Sequence, residues 1–315
     1  MSIPASLNRN LALPVICAPM FIISSPELVI AQCKGGLIGS FPALNARPQA
    51  LLDEWLARIT TELAADPRAA PYAVNHIIHQ SNTRLDDDLA LCAKHRVPLI
   101  ITSLRAPGDI VPQVHAWGGL VFHDVTTVRH AEKALEAGVD GLILVCAGAG
   151  GHAGSLSPFA LVGEIRKFYQ GSVALSGAIA NGSAILAARA MGADFAYIGT
   201  RFIATKEANA SPAYQQAILE SAAADIVYTP YFSGVHANYL KKSILAAGFD
   251  PDKLPLKDKS EMSFGSERAV KTWKEIWGAG QGVGCIDDIL PAADLIARLK
   301  QEYRAASEGL LAAGG

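Results

Sequence analysis

Short apolar runs that alternate with helix-like segments constrain the fold of this chain more than any other feature of its sequence. Many of these runs are continuously apolar, which is typical of parallel strands buried on both faces. Several of the intervening segments end at a glycine, which stops a helix by adopting the left-handed conformation. The eight predicted strands are Pro14–Pro19, Gly36–Phe41, Tyr72–Ile77, Pro98–Ser103, Gly119–His123, Val139–Val145, Ser172–Ser176 and Asp194–Ile198.

Eight strands that alternate with helices predict an α/β fold, a (β/α)8 TIM barrel with a smaller, mostly helical lobe. A doubly wound open sheet is the alternative, but its dinucleotide site needs a glycine-rich turn after the first strand, and Ile16–Met20 contains no glycine. We predict a ligand-binding (β/α)8 barrel domain over residues 1–225, an inserted helical and loop lobe over the barrel mouth in 226–284, and a C-terminal helix in 285–315 that packs on the barrel.

Composition and charge argue against several classes of protein. Half of the 315 residues are hydrophobic and 18% are charged, which is typical of a globular protein with a large core. The net charge of −2 gives no basic excess to attract nucleic acid or anionic lipid. The sequence shows no signal peptide and no apolar stretch long enough to span a bilayer. Its five cysteines lie far apart without metal-ligand spacing, so we expect a cytoplasmic protein with reduced thiols and no bound metal.

The segment Cys146–Gly154 carries the strongest functional signal. It contains four glycines and directly follows a predicted buried strand. Glycine lets a backbone lie close to a ligand, and the one large polar side chain of the segment, His152, titrates near neutral pH. Active sites of barrels lie at the carboxyl ends of the strands, so we predict that His152 belongs to such a site. A structural turn with a surface histidine is the alternative interpretation.

Two further loops follow predicted strands seven and eight, at Ser176–Gly182 and Gly199–Phe202. In barrels a phosphate often binds between these two loops, where unpaired backbone N–H groups and a helix dipole favour an anion. Glycines in both loops would allow close approach. Thr200 offers a hydroxyl and an N–H group, and Arg201 offers positive charge. A pair of ordinary barrel turns is the alternative.

The chain after residue 205 has no convincing ninth strand. It contains an aromatic segment, 228–239, a polar run, 250–267, that we expect to form a solvated loop, and a glycine-rich segment, 278–284. We predict that the aromatic and glycine-rich segments lie at the barrel mouth, because a cofactor edge left open to water would offer no defined substrate pocket.

Five motifs occur in chain order in this sequence: Ala18–Met20, Asn75, Gly148–Gly154, Ser176–Gly182 and Gly199–Phe202. Together they resemble the nitronate monooxygenase family, formerly called 2-nitropropane dioxygenases, which are FMN-dependent barrels. The resemblance runs from about residue 10 to about residue 240 and resumes at Trp277–Gly284. Its most specific part is the Gly-Gly-His-x-Gly element after strand six.

The resemblance implies that FMN binds with its phosphate at the loops after strands seven and eight and its ring over the end of the first strand. It also implies that Asn75 contacts the flavin and that His152 is the catalytic residue beside it. His123 ends predicted strand five and is expected to face the barrel mouth, with a structural histidine as an equal alternative. The residues predicted to bind FMN are Ala18, Pro19, Met20, Asn75, His123, Ala149, Gly150, Gly151, Ser176, Gly177, Ala178, Gly199 and Thr200.

The activity implied by the resemblance is oxidation of an alkyl nitronate by O2 to a carbonyl compound and nitrite. His152 is either a base or a cationic anchor in this reaction, and the sequence leaves both open. The same scaffold would also suit an NAD(P)H-dependent FMN reductase acting on a quinone or an enoyl thioester, and a third alternative is a non-catalytic barrel that binds a phosphate ligand. The expected partners are a small-molecule substrate and O2, without nucleic acid or membrane, and a homodimer is left open.

Overall fold

The computed structural model describes residues 3–254 and 273–313. The strands are short, and most of their residues are buried where they form the central sheet. In chain order the strands are β1 (Val15–Cys17), β2 (Gly39–Pro42), β3 (Tyr72–Ile78), β4 (Leu99–Leu104), β5 (Leu120–Val125), β6 (Gly141–Val145), β7 (Gly151–His152), β8 (Ser172–Ser176), β9 (Phe195–Ile198), β10 (Ile226–Thr229) and β11 (Ala237–Leu240).

Eight of these strands form a parallel barrel, as the sequence predicted. Their hydrogen-bonded order is β1, β9, β8, β6, β5, β4, β3, β2. A parallel bridge between Ile16 and Ile38 joins the first strand of this order to the last and closes the barrel. All eight carboxyl ends therefore meet at one rim.

Helices cover the outside of the barrel because the outward side chains of the strands and one face of each helix share an apolar layer. No helix within the described ranges is both long and apolar enough to cross a membrane. The helices are α1 (Ala5–Asn8), α2 (Pro26–Lys34), α3 (Leu51–Ala64), α4 (Leu85–Lys94), α5 (Val111–Ala116), α6 (Val128–Glu136), α7 (Pro158–Arg166), α8 (Gly182–Ala190), α9 (Thr200–Ile203), α10 (Pro212–Leu219), α11 (Lys241–Ala246) and α12 (Ala292–Ala313).

Inward side chains fill the interior of the barrel. Ile16, Phe122 and Phe195 are fully buried there, and the two phenylalanine rings meet edge to face with centroids 6.3 Å apart. Leu7 of α1 belongs to the same apolar cluster. This packed interior leaves the carboxyl ends of the strands as the place where a ligand can enter.

A small antiparallel sheet was missed in the sequence. β11 pairs with β10 on one side and with β7 on the other, where Ala237 lies opposite His152. Strands of two to four residues are too short to give a recognisable alternation, and β7 lies inside a glycine-rich segment. The later lobe therefore contains strands as well as helix α11. The part of the polar run 250–267 from residue 255 onward lies outside the described residues, and the three-part division of the chain stays a prediction.

Helix α12 packs closely on the start of α8. The carboxylate of Glu302 accepts a hydrogen bond from Gly182 N at 2.8 Å. A Cβ atom at Gly182 would lie 2.1 Å from the backbone nitrogen of Tyr303. The contact between the two helices thus depends on the absence of a side chain at residue 182.

We predict that Gly182→Ala lowers the free energy of unfolding by about 1–3 kcal/mol, because the new methyl group forces α12 away from the barrel. The matched control is Gly163→Ala in α7, where nothing lies within 4 Å of the added Cβ. That control should leave stability unchanged or raise it by up to about 1 kcal/mol, since alanine is the better helix former. Urea unfolding of the two variants measures the difference, and equal midpoints would contradict the proposed contact.

Candidate active site at the barrel mouth

A cavity of about 760 Å³ opens at the carboxyl ends of the barrel strands. The aromatic segment 228–239 and the glycine-rich segment 278–284 both contribute to its wall, as expected from the sequence. Hydrogen bonds hold them there: Gly280 N donates to Thr200 Oγ1 at 2.9 Å, and Tyr228 Oη donates to Ala153 O at 2.9 Å. The cavity is therefore enclosed by the barrel rim and by the later lobe together.

The structure brings almost all of the predicted site residues to this one cavity. His152 lines it, and so does every predicted FMN-binding residue except His123. These residues are Ala18, Pro19, Met20, Asn75, Ala149, Gly150, Gly151, Ser176, Gly177, Ala178, Gly199 and Thr200. Their individual contacts with FMN stay predictions.

The backbone between β8 and α8 has a shape that suits an anion. Gly177 has a φ angle of +144° and Ala178 one of +55°. Both angles lie in the region of positive φ, which residues with a side chain rarely adopt. Within the described residues, the N–H groups of Gly177 and Gly199 donate to no backbone or side-chain acceptor. Two unpaired N–H groups on the wall of one cavity fit a phosphate.

Two details of the predicted phosphate site differ from expectation. Two backbone N–H groups at the start of α8 already have acceptors. Asn181 Oδ1 accepts a hydrogen bond from Ala184 N at 2.9 Å, and the carboxylate of Glu302 accepts one from Gly182 N. Arg201 is buried away from the cavity and donates to Asp288 Oδ1 at 2.7 Å, so the expectation that it supplies charge to the phosphate is wrong. The anion site therefore relies on backbone groups.

Polar side chains from three neighbouring strands form a hydrogen-bonded row on the cavity wall. Asn75 Nδ2 on β3 donates to Ser103 Oγ at 3.0 Å and to Ile101 O at 3.2 Å. Ser103 Oγ on β4 in turn donates to Asp124 Oδ2 on β5 at 2.7 Å. Both amide hydrogens of Asn75 are used, so the side chain can offer a ligand only its carbonyl oxygen.

His123 is the one predicted cofactor residue that the structure places elsewhere. Strand β5 continues to Val125, two residues beyond its predicted end. Because successive side chains of a strand point to opposite faces, His123 lies on the outer side, where its Nδ1 lies 2.8 Å from Thr102 Oγ1. Asp124 lines the cavity instead. The expectation that His123 faces the mouth is therefore wrong, and the next residue of the strand takes that position.

His152 lies on β7 and is held by the small antiparallel sheet. Its strand partner is Ala237, and the edge of its ring meets Trp273 with centroids 5.5 Å apart. Burial lowers the pKa of His152 to about 4, so the imidazole is neutral at neutral pH.

A hydrogen bond links this imidazole to the later lobe. His152 Nε2 lies 3.0 Å from Ser233 Oγ. Ser233 in turn donates to Val235 O at 2.9 Å. The imidazole is therefore held in place by a residue of the aromatic segment.

These features fit FMN. The cavity is large enough for the cofactor and a small substrate, the backbone at Gly177 and Gly199 suits its phosphate, and Asn75 offers an acceptor for a ring N–H group. Asp124 adds a buried oxygen atom, Oδ1, that has no hydrogen-bond partner within the described residues. Across those same ranges no group of His, Cys, Asp or Glu side chains is arranged to hold a metal ion.

Sequence reasoning missed three residues of this site: Asp124, Ser233 and Trp273. Asp124 was missed because the predicted strand ended at His123, one residue before it. Ser233 and Trp273 contact His152 from more than 80 residues away in the chain, and no local pattern reports such a contact.

This chain is similar in sequence and in fold to several known proteins. A family model described as nitronate monooxygenase matches residues 41–302. A nitronate monooxygenase of Paraburkholderia phytofirmans is 26% identical, with 94% of each chain covered. A nitroalkane oxidase from Streptomyces ansochromogenes has a similar fold, with a TM-score of 0.81 and 23% identity over 97% of this chain and 100% of that one. FabK from Thermotoga maritima is also similar in fold, with a TM-score of 0.79 and 23% identity over 96% of both chains.

We predict that Gly199→Val removes FMN from the protein without unfolding it. A Cβ at residue 199 would meet Ala18 Cβ at 3.4 Å and Met20 Sδ at 3.6 Å, which are ordinary contacts, so the barrel tolerates it. The added side chain nevertheless occupies the space through which the backbone must approach a phosphate. Flavin absorbance per mole of purified protein measures the loss, with Gly163→Ala as the control. A folded Gly199→Val protein with full FMN content would refute this position for the phosphate.

Proposed function

This chain belongs to the nitronate monooxygenase family, an FMN-dependent family of oxidoreductases, and we propose that it oxidises alkyl nitronates with O2 to a carbonyl compound and nitrite. The observation that carries the proposal is the position of His152 on the wall of a cavity that fits FMN. The name of the relative from Paraburkholderia phytofirmans, which covers almost the whole chain, supports the same substrate class.

When bound, FMN supplies the electron transfer from the substrate to O2. The chain's own residues have three tasks in this scheme. The backbone at Gly177 and Gly199 would anchor the phosphate, Asn75 Oδ1 would accept a hydrogen bond from the ring, and the later lobe with Tyr228 would cover the cofactor.

His152 is a base in this proposal, rather than a cationic anchor. A cation would attract the negative nitronate, but burial keeps the imidazole neutral down to a pH of about 4. A neutral imidazole is able to take the α-proton of a neutral nitroalkane and thereby generate the nitronate in the cavity. A substrate supplied as the nitronate does not need this step.

The direct test of the function is oxygen uptake by FMN-loaded protein supplied with propionate-3-nitronate or the anion of 2-nitropropane. We expect oxygen consumption together with release of nitrite. The competing reductase activity is tested anaerobically, by adding NAD(P)H and following the flavin absorbance. Bleaching by NAD(P)H without any oxygen uptake on nitronate would replace the proposal with the reductase alternative.

We predict that His152→Ala keeps its FMN but loses about 10²–10⁴-fold in kcat/KM for a neutral nitroalkane, which is the usual contribution of a general base. Turnover of the preformed nitronate should fall far less, because no proton has to be removed. His236→Ala is the matched control, since His236 also lines the cavity but stacks on Tyr228, with ring centroids 4.9 Å apart. Equal losses on nitroalkane and nitronate would mean that His152 does not act as a base.

A further inference from the structure

The carboxyl group of Asp124 lies on the cavity wall and has no role in the proposed oxidation. It projects from β5 into the cavity wall, and its Oδ2 accepts the hydrogen bond from Ser103. Its Oδ1 is inaccessible to solvent and has no partner within residues 3–254 and 273–313. A buried carboxylate oxygen without a partner is unfavourable, which favours the protonated form of the group.

The environment of Asp124 favours its uncharged form. Burial raises the pKa of this carboxyl to about 7, and the hydrogen bond from Ser103 opposes only part of that effect. Across the barrel, burial raises the pKa of Tyr197 and the nearby charge of Asp124 raises it further. No cationic side chain of the described residues forms a salt bridge with Asp124. The ionisable side chains that face the same cavity are His79, Arg105, His130, His152, Tyr197, Tyr214, Tyr228 and His236.

The hydrogen-bonded row assigns the position of the proton on Asp124. Ser103 has one hydroxyl hydrogen, which it gives to Oδ2, and its oxygen accepts from Asn75. Oδ2 is therefore an acceptor in both protonation states, and the proton of the neutral carboxyl group resides on Oδ1. The atom that changes its protonation state is thus the same atom that lacks a partner.

We propose that Asp124 sets the reduction potential of the bound FMN, because its carboxyl group lies in the FMN cavity, one hydroxyl group away from Asn75, and takes up a proton at Oδ1 when the flavin is reduced. The electrons come from the added reductant and the proton from solvent, so a carboxylate becomes a carboxylic acid while the flavin gains its electrons. The proposal depends on FMN binding in this cavity and does not depend on nitronate as the substrate.

The physical reason is the repulsion between like charges in a medium of low dielectric constant. A carboxylate close to the flavin opposes the negative charge that reduction adds, whereas a neutral carboxyl group or amide does not. At high pH, Asp124→Asn should therefore bind reduced FMN, relative to oxidised FMN, on the order of tenfold more tightly than the wild type does.

The experiment is a spectroelectrochemical titration of the FMN-loaded wild type and Asp124→Asn between about pH 5.5 and pH 8.5. The two proteins should have similar potentials below about pH 7, where Asp124 is protonated in the wild type. Above that pH the wild-type potential should fall more steeply, because reduction then takes up one additional proton. Asp87→Asn makes the same chemical change on an exposed face of α4 and should follow the wild type.

Coincident potentials of the wild type and Asp124→Asn at every pH would overturn the proposal. If Asp124→Asn does not retain FMN, Ser103→Ala decides the question. Removing the hydroxyl donor takes away the interaction that lowers the pKa of Asp124, so the change of slope should move to higher pH. If the slope of potential against pH changes at the same pH in Ser103→Ala as in the wild type, the proposal is overturned as well. None of these titrations uses a nitronate, so their failure would leave the proposed oxidation reaction untouched.

Discussion

The close contact between two glycine-rich backbones holds the whole site together. Gly148 O accepts a hydrogen bond from Gln281 N at 2.9 Å, and a Cβ at Gly280 would lie 2.5 Å from that same carbonyl oxygen. A Cβ at Gly150 would lie 2.8 Å from Gly280 N. Side chains on either segment would push the later lobe away from the barrel. The contact therefore closes the cavity and also places β7, with His152, against the rim.

Burial acts on His152 and Asp124, two titratable groups of the cavity, in opposite directions and for the same reason. It lowers the pKa of His152 to about 4 and raises that of Asp124 to about 7, because an apolar surrounding disfavours the charged form of either group. His152 is thus uncharged at neutral pH and Asp124 is only partly ionised. The backbone N–H groups near Gly177 and Gly199 would receive the negative charge of a phosphate. A cavity of this kind separates the anchoring of the cofactor from the proton chemistry beside it.

The barrel and most of the site were predictable because both depend on patterns that are local in the sequence. Buried parallel strands are continuously apolar, and a glycine-rich loop with a single histidine stands out after such a strand. His123 was misplaced because the predicted strand ended there, whereas β5 continues to Val125. Side chains alternate along a strand, so Asp124 faces the mouth and His123 faces outward. Arg201 was misjudged because its partner, Asp288, is distant in the chain. Contacts of this kind depend on tertiary packing, which no local pattern contains.

The central claim is that one cavity holds FMN between a backbone anion site and the neutral imidazole of His152. A crystal structure of the FMN complex tests this most directly. The phosphate is predicted within hydrogen-bond distance of Gly177 N and Gly199 N, with a ring N–H group on Asn75 Oδ1 and His152 beside the ring. A phosphate bound at the start of α8, or a flavin ring located outside this cavity, would contradict the account.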